Sequence, residues 1–260
     1  MIVKSLKLPQ AKLEKNPGIS YDSKKYMALN GFALTADIVL LSIKDNELAV
    51  LLIKRKEWPF NGSWALPGGF MDGDKDLDLL ETARRELLEE TNIDNIYLEQ
   101  LATFSTKGRD PREGVANSPV RVISTAHIAL IDYKKVTAVA GSDAEDAKWF
   151  KLSEIPPLAF DHNLIIESAV HRVRNKINYS NVGFELVPKT FTIPELREVF
   201  EHVLGRKLNA TNFRTKILKL KVLKALGKKR IEGKGQPAPL YKLDTKGLET
   251  LMKEGETLFN

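Results

Sequence analysis

The sequence predicts an α/β chain in two parts: mixed short strands around one carboxylate-bearing helix, then a basic winged helix-turn-helix. Three observations predict it. Alternating and β-branched segments surround a paired-glycine turn, Gly68-Gly69, which feeds a helix bearing Glu86, Glu89 and Glu90. From Thr192 two helix starts follow one another, and a glycine-rich turn then separates two short apolar segments. The charge divides in the same way. Between Arg206 and Lys234 stand eleven Lys and Arg and one acid, Glu232, a local excess of +10 in a chain of net charge +6. The remainder therefore sums to −4 and is expected to serve a different partner from the basic end.

The chain has 260 residues, long for one domain and comfortable for two, and is 43% hydrophobic. It has no cysteine, which excludes disulfides, thiol nucleophiles and cysteine-bound zinc. No apolar run reaches the roughly 18 residues of a membrane span, and the N-terminus lacks a signal-peptide pattern. A cytoplasmic protein with no membrane partner is expected. The four histidines are dispersed, without metal-site spacing.

Residues 1–30 read as a polar extension containing Pro9 and Pro17. Asp37 to Ile43 and Leu48 to Arg55 read as strands joined by a hairpin at Lys44-Asp45-Asn46-Glu47. Trp58 to Gly62 is a loop, and Trp64 to Pro67 leads into the glycine turn. Asp74 or Asp76 is expected to cap the next helix, with Leu77, Leu80, Ala83, Leu87 and Leu88 as its buried face. Positions i, i+3 and i+4 share one helix face, so Glu86, Glu89 and Glu90 project together. Oxygen-only ligands of this kind suit Mg²⁺ or Mn²⁺; the bland alternative is a solvated acidic face. Further strands are expected at Tyr97 to Thr106, Val120 to Asp132 and Ala147 to Phe150.

Arg85, Glu86, Leu87, Glu89, Glu90 and Ile93 resemble the C-terminal half of the Nudix box, the signature of hydrolases that cleave nucleoside diphosphates linked to another group. The chain departs from that pattern in three places. Lys75 stands where the family has Glu, the spacing from there to Arg85 is two residues longer, and Asn92 replaces Gly. Asn tolerates the left-handed conformation that ends a helix. Glu81, one turn before Arg85, is the expected substitute for the missing Glu as the partner of the arginine. The resemblance implies a Nudix α/β/α sandwich over residues 31–157.

Residues 158–182 read as a connecting amphipathic helix with Ile165, Ile166, Ala169, Val173 and Ile177 apolar, and residues 183–260 as the winged-helix domain and tail. Thr192-Ile193-Pro194-Glu195 starts one helix, with Thr at the cap and Pro in the first turn. It ends at Gly205, and Asn209 begins a second. The chain then runs through Val222, Leu223, Leu226 and Ile231 to a glycine-rich turn at 232–236 and on to Leu240-Tyr241-Lys242-Leu243, a hairpin with a basic tip. A recognition helix presents its first polar residues to base edges while neighbouring cations hold phosphates. Asn209, Thr211, Asn212, Arg214 and Thr215 fit the first role. Lys216, Lys219, Lys228, Lys229, Arg230 and Lys234 fit the second, on a double-stranded DNA operator. A basic protein-docking module is the alternative.

A Nudix domain followed by a winged helix resembles the Nudix-related transcriptional regulators, which control NAD or sugar metabolism in bacteria. Supporting stretches are Trp64 to Phe70, Arg109-Asp110-Pro111-Arg112, Ala159-Phe160-Asp161-His162, Phe191 to Leu196 and Asn212-Phe213-Arg214. The resemblance implies an effector such as ADP-ribose or another phosphosugar, and a homodimer suited to a two-fold operator. For an active hydrolase it implies metals on Glu86, Glu89 and Glu90, with the Gly69 carbonyl as a further ligand. It also places a general base in a loop before the last strand, among Asp143, Glu145 and Asp146. Arg109 and Arg112 are candidate phosphate clamps or surface loop charges. Trp58, Phe60 or Phe70 are candidates to stack on a base, Phe70 being the better fit for core packing. Two functions are carried forward: a ligand-responsive DNA-binding regulator, and a Mg²⁺-dependent ADP-ribose pyrophosphatase, with a bifunctional protein between them.

Overall fold

The computed structural model describes residues 8–15, 31–113, 115, 121–135, 144–231 and 236–254. The chain divides into two compact units, residues 1–41, 49–129 and 134–170 in the first and 42–48, 130–133 and 171–260 in the second. Among the described residues no helix is long and apolar enough to cross a membrane.

The sheet begins with a hairpin, β1 (Phe32–Lys44) and β2 (Glu47–Arg55). Its turn residues Asp45 and Asn46 both have positive φ, 47° and 65°, as a type I′ turn requires. Ile38 to Leu41 and Ala49 to Leu52 are fully buried at consecutive positions, so both faces of these strands are covered. Short β3 (Trp64–Ala65) pairs with β2, and β4 (Gly68–Phe70) with β1. After α1 (Leu79–Thr91) come β5 (Glu99–Phe104), β6 (Arg121–Leu130) and β7 (Ala144–Lys151). The order is β3-β2-β1-β6-β5, with β4 on β1 and β7 on β2.

Asp78, not Asp74 or Asp76, caps α1, its side chain accepting from Glu81 N at 2.8 Å. The helix closes on Asn92 in the left-handed region, φ 57°. The expected buried face is partly wrong. Leu77 and Leu88 are exposed, and the buried positions are Thr82, Ala83, Leu87, Glu90 and Thr91. Packing of α1 against the glycine strand β4 selects that face.

The N-terminal segment is built into the first unit. Leu158 N donates to Pro9 O at 3.1 Å, and Ala11 N donates to Leu158 O at 2.6 Å. The helix α2 (His162–Lys176) follows.

In the second unit α3 (Ile193–Leu204) starts with a full capping box between Thr192 and Glu195 and ends at Gly205, φ 66°. Buried Glu201 organises the next turn, accepting from Leu208 N at 2.9 Å and Lys207 Nζ at 3.0 Å. The helix α4 (Ala210–Lys219) is held to α3 by Phe213, edge-on to Phe200 at 5.4 Å. The run after α4 is a strand, β8 (Leu223–Arg230), paired with β9 (Ala238–Leu243) and followed by α5 (Thr245–Lys253). Phe191 and Tyr241 exchange backbone hydrogen bonds of 3.0 and 2.8 Å, tying the start of α3 to the wing.

Candidate functional site

The glycine turn exists because backbone must lie against two carboxyl-bearing side chains. Gly68 has φ +153°, and a Cβ there would strike the Ala36 carbonyl and Asp37. A Cβ on Gly69 would overlap the Glu86 carboxylate. Gly68 N donates to Glu90 Oε2 at 2.7 Å, which accounts for a glutamate only 6% exposed. Gly69→Ala is therefore expected to turn the Glu86 carboxylate out of its seat and to cost about 1 kcal/mol or less, the size of the Arg85 contact it disturbs, measured by urea denaturation.

Arg85 is the hub of the carboxylate helix. Its partner is Asp76 rather than Glu81: Nε reaches Asp76 Oδ1 at 2.9 Å and Nη2 reaches Oδ2 at 2.8 Å. Glu81 is spent at the helix start, accepting from Leu77 N. Nη1 of Arg85 bridges Glu86 at 2.7 Å and Glu89 at 3.2 Å, and Nη2 also reaches the Phe70 carbonyl at 2.9 Å. The hydrogen bonds from Arg85 hold the Asp76 carboxyl down at about 2. Lys75, in the position of the family glutamate, turns to Asp72 at 3.1 Å.

Lys75, Arg85, Glu86, Glu89 and Glu90 line a groove of about 470 Å³ with Arg55, Lys56, Gly69 and Phe70. The oxygen donors are of the kind that suits Mg²⁺ or Mn²⁺. Their arrangement does not: among the described residues no group of three or more His, Asp or Glu is placed to hold a metal. Glu86 and Glu89 converge on the Arg85 guanidinium, and Glu90 turns to the Gly68 amide.

A second, smaller pocket adjoins the groove, sharing Gly68, Gly69 and Phe70 and adding Asp37, Arg112, Phe160 and His162. Arg109 is also in its lining, with its side chain 4% exposed. Its Nε and Nη2 hold Asp161 at 3.0 and 2.7 Å, and Nη2 stands 3.4 Å from Asp37. Arg109 is thus a buried, ion-paired cation in the pocket lining rather than a surface loop charge. Arg112 binds Asp110 Oδ1 through Nε at 2.8 Å and lies over the rings of Phe70 and Phe160, 4.5 and 5.4 Å from their centroids. Burial pushes Asp110 up, but the charge and hydrogen bonds of Arg112 outweigh it and hold the carboxyl below its usual range. His162 Nδ1 accepts from Leu66 N at 2.9 Å, and Nε2 stands 3.6 Å from Asp37. Complete burial pushes His162 below its ordinary pKa.

Trp58 and Phe60 are 8% and 4% exposed and belong to the core, Phe60 edge-on to Phe160 at 5.1 Å. Phe70 remains half-buried at the pocket wall. Glu145 and Asp146 stand in β7 rather than in a loop, and Asp146 pairs with Lys148. Pairing of β7 with β2 extends the strand back to Ala144. Asp143 lies outside the described residues. The sequence reading missed Asp37, Asp76 and Phe160 as site residues. A lone acid inside the apolar run of β1 was the available signal for Asp37.

In the second unit Thr211, Asn212, Arg214, Thr215 and Lys219 are exposed and Lys216 is half-buried, while Phe213 and Ile217 turn inward. Asn209 is used as the cap of α4, accepting from Asn212 N at 3.0 Å. Lys224, Lys228 and Lys229 are exposed on β8. Arg230 is engaged with Glu195, and Lys234 lies outside the described residues.

A family model for the NUDIX domain matches residues 31–169, and one for the NrtR DNA-binding winged helix domain matches residues 183–243. The ADPR responsive transcriptional repressor NtrR of Acinetobacter baylyi is 35% identical over 211 residues, covering 80% of this chain and 81% of that protein. The chain belongs to the Nudix-related transcriptional regulators. Two solved structures of that family carry the likeness further. Shewanella oneidensis NrtR complexed with a 27mer DNA superposes with a TM-score of 0.69 at 37% identity, covering 83% of this chain and 95% of that one. The NUDIX domain of Shewanella oneidensis NrtR complexed with ADP ribose gives 0.50 at 37%, covering 58% and 93%.

Proposed function

We propose that this chain is a DNA-binding transcriptional regulator of NAD or sugar metabolism whose Nudix domain takes ADP-ribose or a related phosphorylated sugar as effector. One observation carries it: each half bears the chemistry its own ligand needs. The groove and pocket place Arg55, Lys56 and Arg112 beside the aromatic ring of Phe70, suited to phosphate and to a flat ring. The end of α4 and the exposed positions of β8 present Lys219, Lys224, Lys228 and Lys229 to solvent, suited to a phosphate backbone. A homodimer on a two-fold operator, with Thr211, Asn212 and Arg214 toward the bases, completes the reading.

Nudix hydrolases generally use divalent metal ions. Arg85 is seated between Glu86 and Glu89, so the effector is proposed to bind on Arg55, Lys56, Arg112 and Phe70 without one. The test is fluorescence anisotropy on the protein's own upstream DNA, with and without ADP-ribose, in EDTA and in Mg²⁺. ADP-ribose is expected to weaken DNA binding in both buffers, because an effector shifts an equilibrium only through unequal affinity for its two states. Lys219→Ala with Lys228→Ala is expected to reduce the slope of log affinity against log salt by about 2. An unchanged protein–DNA equilibrium at saturating ADP-ribose would remove it as effector; release of AMP in Mg²⁺ would favour the hydrolase.

A further inference from the structure

Phe160 is a bulky residue held in the left-handed region, φ 53°, where a β-carbon is disfavoured and the conformation persists only if its surroundings impose it. Its ring is a wall of the pocket, with Arg55 at 4.9 Å and Arg112 at 5.4 Å from its centroid. The next two residues are Asp161, bound by Arg109, and His162, bound by the Leu66 amide. One strained residue thus sets the aromatic wall and the first groups of α2.

The N-terminal segment holds that residue in place. Pro9 and Ala11 bracket Leu158 with backbone hydrogen bonds, and Gln10 forms a bridge with Leu158 in parallel register. The side chain of Gln10 then donates from Nε2 to the Phe160 carbonyl at 2.6 Å. Leu8 continues the strap onto α2, its amide donating to Glu167 at 3.2 Å. Farther along, Glu14 accepts from Asn61 N at 2.9 Å.

We infer that residues 8–15 are a strap that shapes the effector pocket, with Gln10 the positioning residue that holds Phe160 beneath Arg55 and Arg112. The inference rests on the proposed effector reading. Strap docking and ligand binding stabilise the same arrangement of Phe160, so each must favour the other. Gln10 lines neither the pocket nor the groove, and its side chain acts through the Phe160 carbonyl.

The experiment is calorimetric titration of ADP-ribose into the full chain and its Gln10 variants, with amide hydrogen exchange on the wild type. Gln10→Met keeps the side-chain length and loses the donor. It is expected to weaken ADP-ribose roughly three- to tenfold, the range of one lost hydrogen bond, with operator affinity in the absence of ligand unchanged. Gln10→Lys restores a donor and is expected to recover most of the loss. In the wild type, saturating ADP-ribose is expected to slow exchange at the Ala11 and Leu158 amides. Wild-type affinity in Gln10→Met, or exchange at Ala11 indifferent to ligand, overturns the strap as a determinant of the pocket. A wild-type chain that binds no ADP-ribose defeats the effector reading instead, and the two failures are distinct.

Discussion

Replacing Arg109 with methionine is expected to destabilise the first unit by about 3–5 kcal/mol, read as a fall in its urea midpoint. The side chain is 4% exposed and stands between Asp161 and Asp37, themselves 14% and 9% exposed. Burial opposes the charge of Arg109, yet the two carboxylates outweigh burial and raise its pKa. Methionine fills much of the volume and leaves two buried anions facing each other, which costs more than the pair itself contributes. A second change, Asp161→Asn, should recover part of the loss by removing one of those anions. A deficit under about 1 kcal/mol in the single variant, the size of a surface effect, would show that the network is not a fixture of the fold.

The same substitution has a pH signature. Burial lowers the pKa of His162 below 6.5, and the charge of Arg109 lowers it further. The folded chain therefore binds fewer protons there than the unfolded chain, and wild-type stability from this group is present above about pH 6.5 and lost as pH falls below it. Without Arg109, His162 is free to charge against Asp37, 3.6 Å away. The variant should lose less stability on acidification, so its deficit narrows toward about pH 5. ADP-ribose affinity should fall with the fold-state correction already made, because Asp161 and His162 adjoin the Phe160 wall.

What was legible in the sequence was local. The hairpin at Asp45-Asn46, the paired glycines, the carboxylate helix and the Thr192 capping box each follow from a few neighbouring residues and a period. What was illegible depends on distance along the chain. Arg109 finds its acids 52 and 72 residues away, so nothing nearby reveals that it is neutralised. Glu81 had the right i,i+4 spacing for Arg85, but the helix start claimed it first. The hairpin after α4, by contrast, was legible from short apolar segments either side of a glycine-rich turn, and β8 pairs with β9 as that reading expects. The polar N-terminus read as an extension because a strap held by backbone hydrogen bonds needs no side-chain pattern.

Asp76→Asn is expected to cost about 2 kcal/mol at pH 7, and the cost should depend on pH. The carboxyl is 3% exposed, receives both Nε and Nη2 of Arg85, and accepts from Thr82 Oγ1 at 3.0 Å and Asp72 N at 2.9 Å. The hydrogen bonds from Arg85 lower its pKa from 3.8 to about 2, and a shift of that size corresponds to about 2 kcal/mol. A lowered carboxylate pKa contributes stability above the unfolded value, and that stability is lost as pH falls from about 4 to 2. Arg85 would keep Glu86 and Glu89 in the variant, so the loss should fall short of that for a fully orphaned buried cation. Urea denaturation at about pH 7 and pH 3 tests this: the gap between wild type and variant should shrink at the lower pH, where the wild type has surrendered part of the same interaction. An equal gap at both would mean that Asp76 holds the loop by its hydrogen bonds alone. A shrinking gap would make Asp76 the residue that lets the arginine hub stand although lysine occupies position 75, and would explain how Glu86 and Glu89 remain gathered on Arg85 without the family glutamate.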